Sequence, residues 1–168
     1  MGPSIAQCRH LLTISERTFA GLDDSHRALE PQAGVKTAGW LIGHLAVIGD
    51  FGRRLCGRRP AICPKEWQAL FNPGTEPSLR SGDYPSMKSL TEAFRSVYSD
   101  LCDNAATVEQ SLLDAENPYA PARAPFLTAG LFVAYMMSGH LGYHLGQLVG
   151  WRAAAGLGRL RRADSLVA

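Results

Sequence analysis

Apolar residues recur at alternating steps of three and four in four stretches of the chain. Ile5, Cys8, Leu12, Ser15, Phe19 and Leu22 trace the first stripe, and Trp40, His44, Val47, Phe51 and Leu55 the second. Met87, Leu90, Phe94, Val97, Leu101, Val108 and Leu112 trace the third, and Val133, Met137, His140, His144, Gln147 and Trp151 the fourth. Residues at this spacing share one side of an α-helix, so each stripe predicts a helix that turns one face to a common core. No segment alternates with period two, and no sheet is predicted. Thr37 and Ser86 precede the second and third stripes as N-caps, with Pro85 marking the turn before Ser86. Asn117, Pro118, Pro121 and Pro125 separate the third helix from the fourth. From about Gly57 to Ser86 the chain carries Pro60, Pro64, Pro73, Pro77 and Pro85. A connection this long in a small domain serves function or crosses over a bundle. The fold class expected is therefore all-α: a four-helix bundle with a long crossover between helices 2 and 3.

The length of 168 residues suits one domain, 1–168, able to bury a core without disulfides. No internal repeat or low-complexity tract divides it. A net charge of +2 gives no support for nucleic acid as a partner. Basic residues cluster at Arg53, Arg54, Arg58 and Arg59 and again at Arg159, Arg161 and Arg162. Both clusters read as solvated helix ends, where cations complement the helix dipole. Cys8, Cys56, Cys63 and Cys102 form no CxxC pair and read as reduced thiols, three of the four packed in or at the ends of helices. The opening MGPSIAQCRH reaches an arginine and a histidine before any apolar core forms, so no signal peptide is expected and the location expected is cytoplasmic. Between Arg123 and Arg152 lie twenty-eight residues without a formal charge, long enough to cross a bilayer. Ser138, His140, His144 and Gln147 fall within that stretch, and a buried helix of the bundle accounts for it better than a membrane span.

Three of the five histidines fall on the apolar stripes. His140 and His144 are four residues apart on the fourth helix, so both reach one point in space. His44, on the second helix, faces the same core and is placed to supply a third imidazole. Three nitrogen ligands with an open fourth position is the pattern of a catalytic zinc site, and no cysteine on these stripes would close it. Imidazole also suits nickel, copper and iron. The competing reading is three separately satisfied core histidines. Gln147, one turn beyond His144, is a candidate to orient a ligand or a bound water. Trp40 and Tyr143 beside the histidines read as packing groups. Asp50 is turned away from His44, and His10 and His26 lack a spacing partner; none of the three is assigned as a ligand. Trp67, Phe71 and Tyr84 of the crossover are expected to line the mouth of a pocket.

The segment HLGYHLGQLVGWRAAAGLGRL, with its histidine pair followed by glycine-glutamine and a basic residue, resembles the final helix of DinB-like (YfiT-like) metal-binding proteins. TAGWLIGHLAVIGDF resembles the second helix of that family, and FNPGTEPSLRSGDYPSMKSLTEAF its long crossover entering helix 3. The resemblance implies a four-helix bundle with His44, His140 and His144 as metal ligands. It implies zinc or nickel as the metal, and a homodimer. Some members of the family are thiol-dependent S-transferases or isomerases using a low-molecular-weight thiol, and others are assigned as hydrolases. No counterpart of the extra domain attached to some thiol-dependent isomerases is expected, which counts against that specific reaction. Gly142, Gly146 and Gly150 form a stripe roughly opposite the histidines, read equally as a subunit interface or as close packing within the bundle.

Two classes of function follow. In the first, the metal activates a thiol or a water for attack on a small-molecule substrate. No Glu or Asp lies at helical spacing beside the histidines to act as a base, which favours thiol transfer over hydrolysis. In the second, the bundle is non-catalytic: a metal-binding or stress-related protein, or a dimeric interaction module whose histidines bind nothing.

Overall fold

A computed structural model of the protein describes residues 1–57 and 59–158. Arg58, and the basic cluster of Arg159, Arg161 and Arg162, lie outside the described residues. The chain is all-helical. Its elements are α1 (Gly2–Phe19), α2 (Ala38–Leu55), a short α3 (Trp67–Phe71), α4 (Met87–Thr107), a short α5 (Gln110–Asp114), α6 (Ala129–Tyr135) and α7 (Leu141–Ala154). No strand occurs among the described residues; one antiparallel bridge pairs Glu116 with Thr128. The crossover between the second and third long helices and both caps are in place, and the four stripes fall on helices with two interruptions. Thr37 Oγ1 accepts from Trp40 N at 3.3 Å and Ser86 Oγ from Ser89 N at 3.0 Å.

α2 is the central helix. Every residue from Ala38 to Val47 is buried, because α4 packs along one side while α3, α6 and α7 meet the others. Helices buried all round need small residues where neighbours come close. Gly43 is such a place: a Cβ there would stand 2.4 Å from the ring of Phe71. The glycine lets the crossover lie directly on α2.

Two departures from the periodic reading concern helix continuity. The third stripe does not run on to Leu112: α4 ends at Thr107, and Val108 takes an extended conformation. α5 then turns Leu113 inward against Gly130, leaving Leu112 42% exposed. The adjacent β-branched Thr107 and Val108 favour leaving the helix there. The fourth stripe is interrupted as well. Between α6 and α7 the residues Met136–His140 form a π-helical turn. The wider turn inserts an extra residue, which is how the adjacent Met136 and Met137 are both fully buried.

The crossover is pinned at both ends. Asp50 and Arg53, each at most 3% exposed, form a buried ion pair at 3.0 Å. Asp50 also accepts from the backbone N–H of Ile62 and Cys63, while Arg53 donates to Asp100 at 2.9 Å and to the carbonyl of Pro60. Arg53 is therefore not part of a solvated helix end: it ties α2, α4 and the start of the crossover together, whereas Arg54 and Arg59 remain exposed. At the other end, Arg27 Nη1 donates to the carbonyls of Tyr84 and Pro85, at 2.9 and 3.1 Å. Trp67, Phe71 and Tyr84 are buried beneath the crossover as its anchors rather than at a pocket mouth. Their rings pack on one another, Phe71 to Trp67 at 5.7 Å and to Tyr84 at 5.9 Å between centroids.

α7 is held to α1 by Arg152, which donates to the carbonyls of Thr18 and Ala20 at 3.0 and 2.7 Å. A cation at the C-terminus of α1 meets the negative end of its dipole. No helix among the described residues is long and apolar enough to cross a membrane. All four cysteines are free and buried.

Candidate metal centre

The three stripe histidines converge. One ring nitrogen from each of His44, His140 and His144 can be chosen so that all lie within 4.8 Å of one another. They come from the middle of α2, the last residue of the π-helical turn and the first turn of α7. The π-helical turn thus sets the rotation at which His140 leaves the helix, and π-turns of this kind recur at functional sites.

Hydrogen bonds fix two of the rings. His44 Nδ1 lies 2.7 Å from the carbonyl oxygen of Phe71. A carbonyl only accepts, so Nδ1 carries the proton and Nε2 presents a bare lone pair. His144 Nδ1 lies 2.7 Å from Gln147 Oε1, and Gln147 Nε2 donates to the Tyr143 hydroxyl at 3.2 Å. That orientation of the amide again leaves the histidine Nε2 bare. Trp40 stacks on His44, with centroids 4.7 Å apart and planes inclined by 8°, and is itself anchored by Nε1 donating to Thr75 at 3.0 Å. Trp40 is the packing group expected. Tyr143 is not: it is 64% exposed, and its contribution is the hydroxyl that orients Gln147.

The third ring shows what the cluster lacks. His140 Nε2 faces His44 Nε2 at 3.1 Å, while His140 Nδ1 is buried with no partner among the described residues. Two nitrogens at that separation share either one proton or one cation. Tetrahedral ligands about 2.0–2.1 Å from zinc stand roughly 3.3 Å apart, close to the separation seen. Burial disfavours the charged form of all three rings, and ligation requires the neutral form. His44 is pushed down to about 4 by burial, with the charges of His144 and Lys36 adding and the bond to Phe71 opposing. His140 is pushed down to about 3 by burial and by its two neighbours. His144 is lowered by burial, against the bond to Gln147. The donor set and its geometry fit a divalent ion.

The residues set aside stay aside. Asp50 is occupied by Arg53; His10 is exposed; His26 Nδ1 accepts from Asp23 N at 3.1 Å and so caps the turn after α1. The carbonyl of Phe71 is the group that residue patterns did not reveal, since any residue offers one. Within the glycine stripe, Gly142 faces Leu11 of α1 at 3.8 Å, but Gly146 and Gly150 have nothing within 4 Å among the described residues, so close packing between those residues does not account for them.

Beside the cluster lies a pocket of about 380 Å³. It opens one turn past His44, at Val47 and Ile48, and runs between Phe51, Phe132 and the crossover residues Gln68 and Asn72. None of the three histidines lines it.

A helical bundle with three core imidazoles meeting at one point and a pocket alongside defines a class of α-helical proteins suited to hold a metal ion. Sequence comparison places the chain more narrowly. The profile of the DinB superfamily matches residues 7–148, which include all three histidines, and the chain belongs to that superfamily. No curated protein and no solved structure matches it significantly.

Proposed function

We propose that this protein is a metal-dependent enzyme of thiol S-transferase type, with His44, His140 and His144 as the ligands of a zinc or nickel ion. The observation that carries the reading is the convergence of three buried imidazoles, two of them already oriented through Nδ1, on a point that holds no carboxylate among the described residues. A divalent ion bound there would lower the pKa of a coordinated low-molecular-weight thiol, making a nucleophile near neutral pH. The chain's own part is to hold the rings. Phe71 and Gln147 keep the Nδ1 protons in place, Trp40 keeps His44 flat, and the surrounding core excludes water. No Asp or Glu among the described residues joins the three-histidine cluster, which favours thiol transfer over the hydrolase reading. The adjoining pocket speaks for a small-molecule substrate and against a purely metal-storing role.

The same reading places the protein in a reducing, cytoplasmic setting, in keeping with four free thiols. It also makes the protein a homodimer through the face carrying Leu131, Tyr135 and Tyr143, which are 53, 36 and 64% exposed, beside the open Gly146. Sedimentation at micromolar concentration tests the dimer.

The test of function begins with elemental analysis of untagged protein beside His140→Ala. About one ion per chain in the parent and little in the variant is expected. Loaded protein is then assayed for thiol consumption with a panel of electrophiles. Undiminished turnover by His144→Ala would overturn the mechanism.

A further inference from the structure

The pocket beside the histidines is built unevenly. Its walls are apolar: Val47, Ile48, Phe51 and Phe132. At the far end stands Arg54, the one charged side chain lining it among the described residues. Arg54 Nε donates to the carbonyl of Asp50 at 3.3 Å, and its guanidinium lies 5.9 Å from the Phe51 ring centre. Its two Nη groups have no partner among the described residues. The same holds for the side-chain amides of Gln68 and Asn72, which also line the pocket. An apolar cleft with a few converging unpaired polar groups is the usual form of a small-molecule site, and its volume falls at the lower end of the usual range.

Its position ties it to the metal centre. Asn72 follows Phe71, whose carbonyl holds His44, and Val47 is the next turn of the helix that carries His44. Arg54 lies ten residues beyond His44 on α2, about 15 Å along the axis. A molecule held by Arg54 and extended along α2 runs past Phe51 toward Val47, one turn from His44.

We propose that this pocket seats the substrate and selects a carboxylate with an aromatic or medium-length apolar body. The carboxylate meets the free edge of Arg54, a geometry in which guanidinium pairs well with carboxylate. The body lies between Phe51 and Phe132, and the reacting end faces the histidines. Selection of the anion rests on the pocket alone; its role as the substrate seat rests on the metal-dependent reading above.

Calorimetric titration with 4-phenylbutyrate and 4-phenylbutylamine, which share a body and differ in charge, tests the proposal. The expected result is that the carboxylate binds about tenfold or more tightly than the amine, and that Arg54→Gln abolishes the preference. Val47→Trp, which fills the pocket, should remove binding of both. Equal binding of the two probes, a preference that survives in Arg54→Gln, or no binding of either would overturn it. Zinc content of the same preparations reads the metal centre separately. Stoichiometric zinc without carboxylate binding sinks the pocket assignment and leaves the metal centre standing. Carboxylate selection without zinc keeps the selectivity and overturns the pocket's part in metal-dependent chemistry.

Discussion

Replacing Gly43 with alanine tests how the crossover serves the proposed metal centre. The new methyl would stand 2.4 to 2.6 Å from three atoms of the Phe71 ring. That ring is fully buried and held by Trp67 and Tyr84, so it has little room to turn. Relief must come from shifting α3 away from α2, and the carbonyl of Phe71, 2.7 Å from His44 Nδ1, moves with it. Overpacking of this kind costs about 1–3 kcal/mol. For a domain of this length that corresponds to a fall in Tm of roughly 3–10 °C. Losing the outer hydrogen bond of a ligand histidine weakens metal binding by about 10–100-fold. Denaturant melts of the metal-free protein and zinc titration against a competing chelator read the two effects. The double variant with Phe71→Leu, which shortens the ring, should be less destabilised than the two single changes added together, by more than about 0.5 kcal/mol. Unchanged zinc affinity in Gly43→Ala, alongside the fall in Tm, would show that the Phe71 carbonyl does not orient His44 in the way argued.

Two further outcomes are expected. Arg53→Met strands the buried carboxylate of Asp50 and should cost about 3–5 kcal/mol, lowering Tm by something on the order of 10 °C; adding Asp50→Leu should recover part of the loss, and a loss below 1 kcal/mol in the single variant would contradict the pairing. The metal-free protein should also weaken as pH falls. His44 and His140 take up protons only near 4 and 3 in the folded state, against about 6.5 in the unfolded chain. The unfolded chain therefore binds more protons below pH 6.5, so this stability is fully present above 6.5 and is lost as pH falls toward 4. Thermal melts from pH 7.5 to 4.5 check it: the slope should flatten in His44→Leu/His140→Leu, and an identical slope in that variant would refute the assignment.

The sequence by itself determined the four long helical faces and the candidate ligands, though not where α4 ends or the π-helical turn, because faces follow from local spacing. Steps of three and four define faces, and His140 with His144 share a face whatever the rest of the chain does. Capping by Thr37 and Ser86 is equally local, set by a hydroxyl and the backbone a few residues on. Only the tertiary structure decided how the faces meet. Arg53 looked like a solvated cation because, besides nearby Asp50, the partners that bury it, Asp100 and the carbonyl of Pro60, are distant or featureless in sequence. The hold on His44 comes from a backbone carbonyl twenty-seven residues away, a group every residue carries and no pattern marks. The π-helical turn arises from a packing demand, the burial of both Met136 and Met137, rather than from any residue that favours it. Local chemistry is written in spacing along the chain, whereas long-range backbone contacts and packing volumes exist only once the chain has closed on itself.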